Sequence, residues 1–196
     1  MKVMSELFNK LVLLVVILFV ASAPAPAHGD DKKDVEKKQK AIIKMKNEAL
    51  ADLYKGKPGT QEKIKKAAGY AVFDNAGIHL FLLATSRGNG VAMNNKSNQP
   101  VYMKMKTVGA GPGLGVKDYR VVFVFANAAT LKKFTEAGWS FSGEADAAAK
   151  SKNEGGAAGG AASSSEGMEI YTITKKGVAL QATLGGTKFS RDDDLN

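Results

Sequence analysis

An α+β fold, a twisted and largely antiparallel, barrel-like sheet with two or three packed helices, is what this 196-residue sequence predicts. Segments rich in β-branched and aromatic residues follow one another, mostly through short turns, and about seven of them read as strands. Two or three stretches carry the apolar period of a helix that packs on a sheet. Between them lies Val101–Ala126 (VYMKMKTVGAGPGLGVKDYRVVFVFA), which reads as two strands joined through a glycine-rich crossing.

Taken in order, the chain opens with a targeting pattern. Lys2 and Lys10 precede and flank the apolar run Leu11–Val20, and Ala25-Pro26-Ala27 supplies small residues for cleavage before His28. The run is shorter than the roughly 20 residues a spanning helix needs, so a cleaved signal peptide over 1–27 is favoured over an uncleaved anchor. That predicts a periplasmic or secreted protein whose residues 28–196 form one domain. Removing Lys2, Lys10 and Glu6 takes the formal charge from +9 to +8, a balance that favours anionic partners. Export makes nucleic acid the poorest of them. Without cysteine, the fold relies on neither disulfides nor thiolate metal sites.

Residues 30–55 pattern as a helix. At 100° per residue Val35, Ile42, Met45, Ala49, Leu50 and Leu53 form an apolar stripe, interrupted by Lys38 and Lys46. Lys33, Lys37, Lys40, Lys44 and Lys55 gather on the opposite side. Such a ridge is a solvated face or an electrostatic contact with anionic lipid. Insertion of the helix into a membrane would take the stripe away from the core.

Lys57-Pro58-Gly59 ends this helix, and Thr60 is placed to cap a second one running to Ala68. Tyr70–Phe73 then reads as a strand, Asp74–Gly77 as a turn, Ile78–Ala84 as a strand, and Arg87–Gly90 as another turn. In the central stretch Gly109, Gly111, Gly113 and Gly115 recur at every second position. In extended chain this strips one face of side chains and allows close approach of another element. A phosphate cradle fits poorly. Gly115 is not followed by Lys and Ser or Thr, and the glycines do not match the dinucleotide spacing.

Asn127 is a good cap for a helix through Leu131 and Phe134 to Gly138, and Trp139–Gly143 begins another strand. Residues 152–167 are low in complexity and read as a loop. Met168–Thr174 and Val178–Leu184 make a hairpin about Lys175-Lys176-Gly177.

Catalytic patterns are missing. His79 lies in an apolar strand, where a lone histidine is an ordinary sheet residue, and His28 opens the processed chain. Gly138–Ser142 lacks the last glycine of a nucleophile elbow and follows a helix, which leaves Ser140 an ordinary strand residue. Nothing separates the environments of Glu144 and Asp146 as acid–base work requires. Asp192–Asn196 begins like a calcium loop, but the chain ends before the glycine and glutamate that complete it, so it reads as a solvated acidic tail. No metal, cofactor or catalytic role is assigned.

The motifs AAGYAVF, YMKM, the glycine run into GLGVKDYRVVFVF, GWSFSGEADAAAK, GVALQATLGGTKF and RDDDLN, in that order, resemble the SYLF family of lipid-binding domains, more narrowly its exported bacterial branch. The resemblance spans Glu48–Asn196 and implies a non-enzymatic phospholipid- or phosphoinositide-binding module on a mixed α/β fold. Eukaryotic relatives act at membranes and actin; an exported bacterial protein has no actin to meet. In relatives lipid contact is attributed to basic, amphipathic N-terminal sequence, which corresponds here to the helix carrying Lys33, Lys37, Lys40 and Lys44. Relatives also place a lysine and several glycines after the first strand, where this chain has Asp74-Asn75-Ala76-Gly77.

The functional expectation is docking on anionic phospholipid headgroups through Lys33, Lys37, Lys40, Lys44 and Lys55, with Lys104 and Lys106 as a second patch. The rival expectation is a protein-interaction or structural module of the cell envelope, with an envelope protein as partner.

Overall fold

The computed structural model describes residues 28–80, 83–110, 118–141, 162–163, 167–174, 177–179, 184 and 186–196. The leader, the crossing at 111–117 that holds Gly111, Gly113 and Gly115, the carboxylates Glu144 and Asp146, and most of the low-complexity stretch lie outside them, as does the side chain of His79. The chain divides into two units, Met1–Glu36 and Lys37–Asn196. The first is described only over the opening turns of helix α1 (His28–Gly56).

The second unit is the α+β domain the sequence predicts. Helices α2 (Thr60–Lys66) and α3 (Ala128–Glu136) join the rest of α1 on a sheet. Its strands are β1 (Gly69–Leu80), β2 (Leu83–Asn94), β3 (Pro100–Ala110), β4 (Asp118–Phe125), β5 (Trp139–Phe141), β6 (Ala162–Ser163), β7 (Met168–Thr174), β8 (Gly177–Ala179) and β9 (Thr187–Arg191). Every pairing is antiparallel, in the order β5-β9-β3-β2-β1-β4-β7-β6, with β8 also on β7.

β1 and β4 sit mid-sheet, and both faces are covered over Ala71, Val72, Phe73, Val121, Val122 and Phe123, which are all fully buried. This explains why β4 is a continuous apolar run instead of an alternating one. On the inner face, Phe73, Phe123, Phe134 of α3 and Phe189 of β9 interlock, with ring centroids 4.7 Å apart for Phe73–Phe189 and 5.2 Å for Phe123–Phe134. On the outer face, Ala49, Leu50 and Leu53 of α1 and Ile64 of α2 pack on Val72, Val122, Val124 and Tyr171. The Asn127 side chain caps α3, accepting from the Thr130 amide at 2.8 Å, and Gly138 ends it at φ +76°.

Two expected turns are strand. β1 runs unbroken through Asp74–Gly77, pairing with β2 throughout and with β4 as far as Ala76, and Arg87–Gly90 lies inside β2. The glycines there serve close approach. A Cβ at Gly88 would overlap the Asp74 carbonyl, and one at Gly90 the Val72 carbonyl and the Phe73 ring. Asn75 faces inward between these strands, only 2% exposed, and neither atom of its amide has a hydrogen-bond partner among the described residues. An orphan of this kind costs about 1–3 kcal/mol.

Smaller differences follow the same logic. α2 stops at Lys66 and is entered through Gly59 in the left-handed region; the Thr60 hydroxyl donates to the Lys57 carbonyl instead of capping. β9 was not among the expected strands, being short and half polar. The expected solvated tail is pinned: Leu195 is buried, Asp192 is 4% exposed, and the Asn196 side chain accepts from the Tyr102 amide at 3.0 Å and donates to its carbonyl at 2.8 Å.

Gly88→Ala is expected to destabilise the domain by about 3 kcal/mol through overpacking against backbone, read as a lowered urea midpoint. A midpoint equal to wild type would show that β1 and β2 do not meet this closely.

Candidate functional site

The lysine side of α1 follows from how the helix is held. Its apolar stripe is taken by the core: Ile42, Ala49, Leu50 and Leu53 are buried. Arg120, on the outer face of β4, grips the helix flank, with its guanidinium 3.1 Å from Glu48 and 3.3 Å from Asp52. The opposite side is left to solvent, and Lys37, Lys40, Lys44 and Lys55 are all exposed there. Lys33, also exposed, belongs to the preceding unit. Lys46, which breaks the stripe, is half-buried, and burial pushes its ammonium pKa down.

The second expected patch separates into two kinds of residue. Lys104 is neutralised, with its ammonium 2.9 Å from Asp192 and 3.0 Å from Asp194. Those two carboxylates, Asp192 foremost, raise its pKa. Lys106, two residues on, is exposed on the same face of β3. Gly109 of β3 pairs with Ala84 of β2.

A cluster the sequence reading did not single out lies beside α2. Lys63 contacts both carboxylate oxygens of Glu169 at 3.0 and 3.1 Å, and the Tyr171 hydroxyl donates to the same carboxylate at 2.5 Å. Lys57 lies 5.3 Å from the centroid of the Tyr171 ring, a cation–π contact. A groove of about 390 Å³ opens here, lined by Lys63, Lys66, Ala67, Val124, Met168 and Glu169, at the small end for a ligand site. Burial pushes the Glu169 pKa up, but hydrogen bonds from Tyr171 and Lys63 outweigh it and hold the group below its ordinary 4.5. Burial, then the neighbouring carboxylate, raises the Tyr171 phenol well above its usual range. The basic spacing of Lys63, Lys65 and Lys66 was the available signal, but it is equally the ordinary preference of cations for a helix C-terminus.

Among the described residues no group of three His, Asp or Glu side chains is placed to hold a metal ion, and no helix is long and apolar enough to cross a membrane. Ser140 is exposed on β5, opposite Lys188.

Residues 106–196 match the family model Ysc84, described as "Las17-binding protein actin regulator". Beta cell expansion factor A of Aeromonas veronii is 37% identical to the chain over 155 residues, which is 79% of this chain and 58% of that relative. The chain thus spans little more than half the length of the curated relative it matches.

Because the Glu169 pKa is held down in the folded state, its contribution to stability is complete above 4.5 and is lost as pH falls through the lowered value. Glu169→Gln is expected to flatten the acid limb of the stability profile, followed by urea unfolding from neutral pH to the acid side of 4.5. An unchanged acid limb would show that the Lys63–Glu169–Tyr171 cluster is not coupled to folding.

Proposed function

The chain belongs to the Ysc84 (SYLF) family through residues 106–196, and from that premise we propose that it is a binding module, not an enzyme, that docks on anionic phospholipid surfaces. The family is a binding-type one, associated with lipid and protein partners. The observation that carries the lipid reading is the division of labour on α1. Its apolar side is consumed by the core while Lys37, Lys40, Lys44 and Lys55 face solvent, so the helix offers charge without an insertable face. The contact is peripheral and electrostatic, with each lysine near an anionic surface contributing about 1 kcal/mol. The leader pattern supports a periplasmic or secreted setting, where the partner is an anionic membrane surface.

A second reading has its own support. The family match begins at residue 106 and so excludes α1, and the family's description names a protein partner. An envelope protein as partner, with the sheet as scaffold, is that alternative.

Sedimentation with zwitterionic or anionic vesicles separates the two. The variant K37Q/K40Q/K44Q/K55Q is expected to bind anionic vesicles at least about tenfold more weakly than wild type and with a shallower salt dependence. Binding equal to wild type would remove the α1 contact, and wild-type protein that ignores anionic vesicles would leave the protein-partner reading.

A further inference from the structure

We propose that Arg87, Lys106 and Lys188 form a second contact with anionic lipid phosphate, on a bare part of the sheet's outer face; this rests on the membrane-docking reading above. The strand register builds the site. Arg87 of β2 stands directly opposite Lys106 of β3, and Lys106 directly opposite Lys188 of β9, so three adjacent strands place one cation each in a single row. Directly opposed Cβ atoms lie roughly 5 Å apart, which sets the three charges within about 10 Å along the row. That is about one Debye length at physiological salt, so the charges feel one another. All three side chains are exposed, and none makes a hydrogen bond or ion pair among the described residues.

Like charges opposed across a sheet are destabilising, and no carboxylate among the described residues pairs with these three. Asp192 and Asp194 are engaged by Lys104. Asp74 stands opposite Asn89, one register step outside the row, and forms no ion pair among the described residues. A phosphate bridging two of the cations would remove the repulsion, and Arg87 can hold it through two parallel hydrogen bonds.

Three features favour a membrane as the source of that phosphate. The cover on this face ends just short of the row: Val91 and Tyr102 are buried, whereas Asn89 and Lys104, the next residues on the same face, are exposed. Beyond Lys106 on the same side of β3 stands Val108, a large apolar side chain left 56% exposed. On β5 the Ser140 hydroxyl continues the row beyond Lys188. Cations, a hydroxyl and an unburied valine on one open face match the boundary between headgroups and acyl chains better than a soluble polyanion, which has no use for the valine.

The test compares wild type, R87Q/K106Q/K188Q, V108S and the α1 variant K37Q/K40Q/K44Q/K55Q by sedimentation with phosphatidylcholine vesicles, with and without phosphatidylserine. The row variant is expected to bind anionic vesicles about tenfold more weakly, with a urea midpoint equal to or above wild type because repulsion has been removed. V108S is expected to lose the binding that survives at high salt. A row variant that binds like wild type, while the α1 variant does not, overturns this site and leaves the docking reading standing. Wild type that ignores anionic vesicles overturns the docking reading. If it then binds inorganic tripolyphosphate through these three residues, the row belongs to a soluble polyanion and the membrane assignment falls. A lowered urea midpoint in the row variant overturns the argument from repulsion.

Discussion

Double-sided burial of β1 and β4 is the constraint from which the rest of the domain follows. Over Ala71–Phe73 and Val121–Phe123, packing on both faces leaves neither face for display. The inner face is closed by the phenylalanine cluster and α3, the outer face by α1 and α2. Exceptions to apolar composition along the two strands have to be accounted for one at a time. Arg120 is tolerated because it emerges at the edge of the helical cover and finds Glu48 and Asp52. Asn75 finds nothing among the described residues, and it marks the place where the interior stops being oily. Around it the inner-face residues become hydroxylic, with Ser86, Thr107 and Thr187 all buried and the two threonine hydroxyls 2.9 Å apart.

The same constraint decides where charge is presented. A helix whose apolar stripe is committed to the core has only its polar side to offer, so the lysines of α1 form a surface, not an anchor. On the outer face of β3, burial gives out between Tyr102, which is buried and tied to Asn196, and Lys106, which is exposed. Two cationic surfaces thus arise from opposite causes. One is the back of an element that covers the sheet, and the other is sheet that no described element covers. Lys104 stands between these regimes, and Asp192 and Asp194 neutralise it.

Much of this architecture was legible in the sequence where local preference and tertiary demand agree. YRVVFVF reads as strand because both its faces are buried, the α1 stripe reads as helix because only one face is, and Asn127 caps α3 by a contact three residues long. Legibility failed where local chemistry and tertiary use conflict. Asp74–Gly77 and Arg87–Gly90 carry turn residues, yet the glycines are there because β1 and β2 press together and the Asp74 and Val72 carbonyls occupy the space of a side chain. The acidic run at 192–194 looks solvated until Lys104 is brought to it from a distant strand. Lys106 was visible as a cation, but its alignment with Arg87 and Lys188 exists only in the register.

β9 is the last strand in sequence, yet it lies between β5 and β3 in the sheet, and the residues after it are tied to Tyr102. Phe189 from this strand also enters the centre of the aromatic cluster. The core therefore depends on pairings between segments far apart along the chain, which places the domain among those whose folding is slowed by loop closure. Until β9 emerges, the β3 edge that it covers is unpaired and the aromatic cluster lacks Phe189. The aromatic cluster is complete only once β9 has paired with β3.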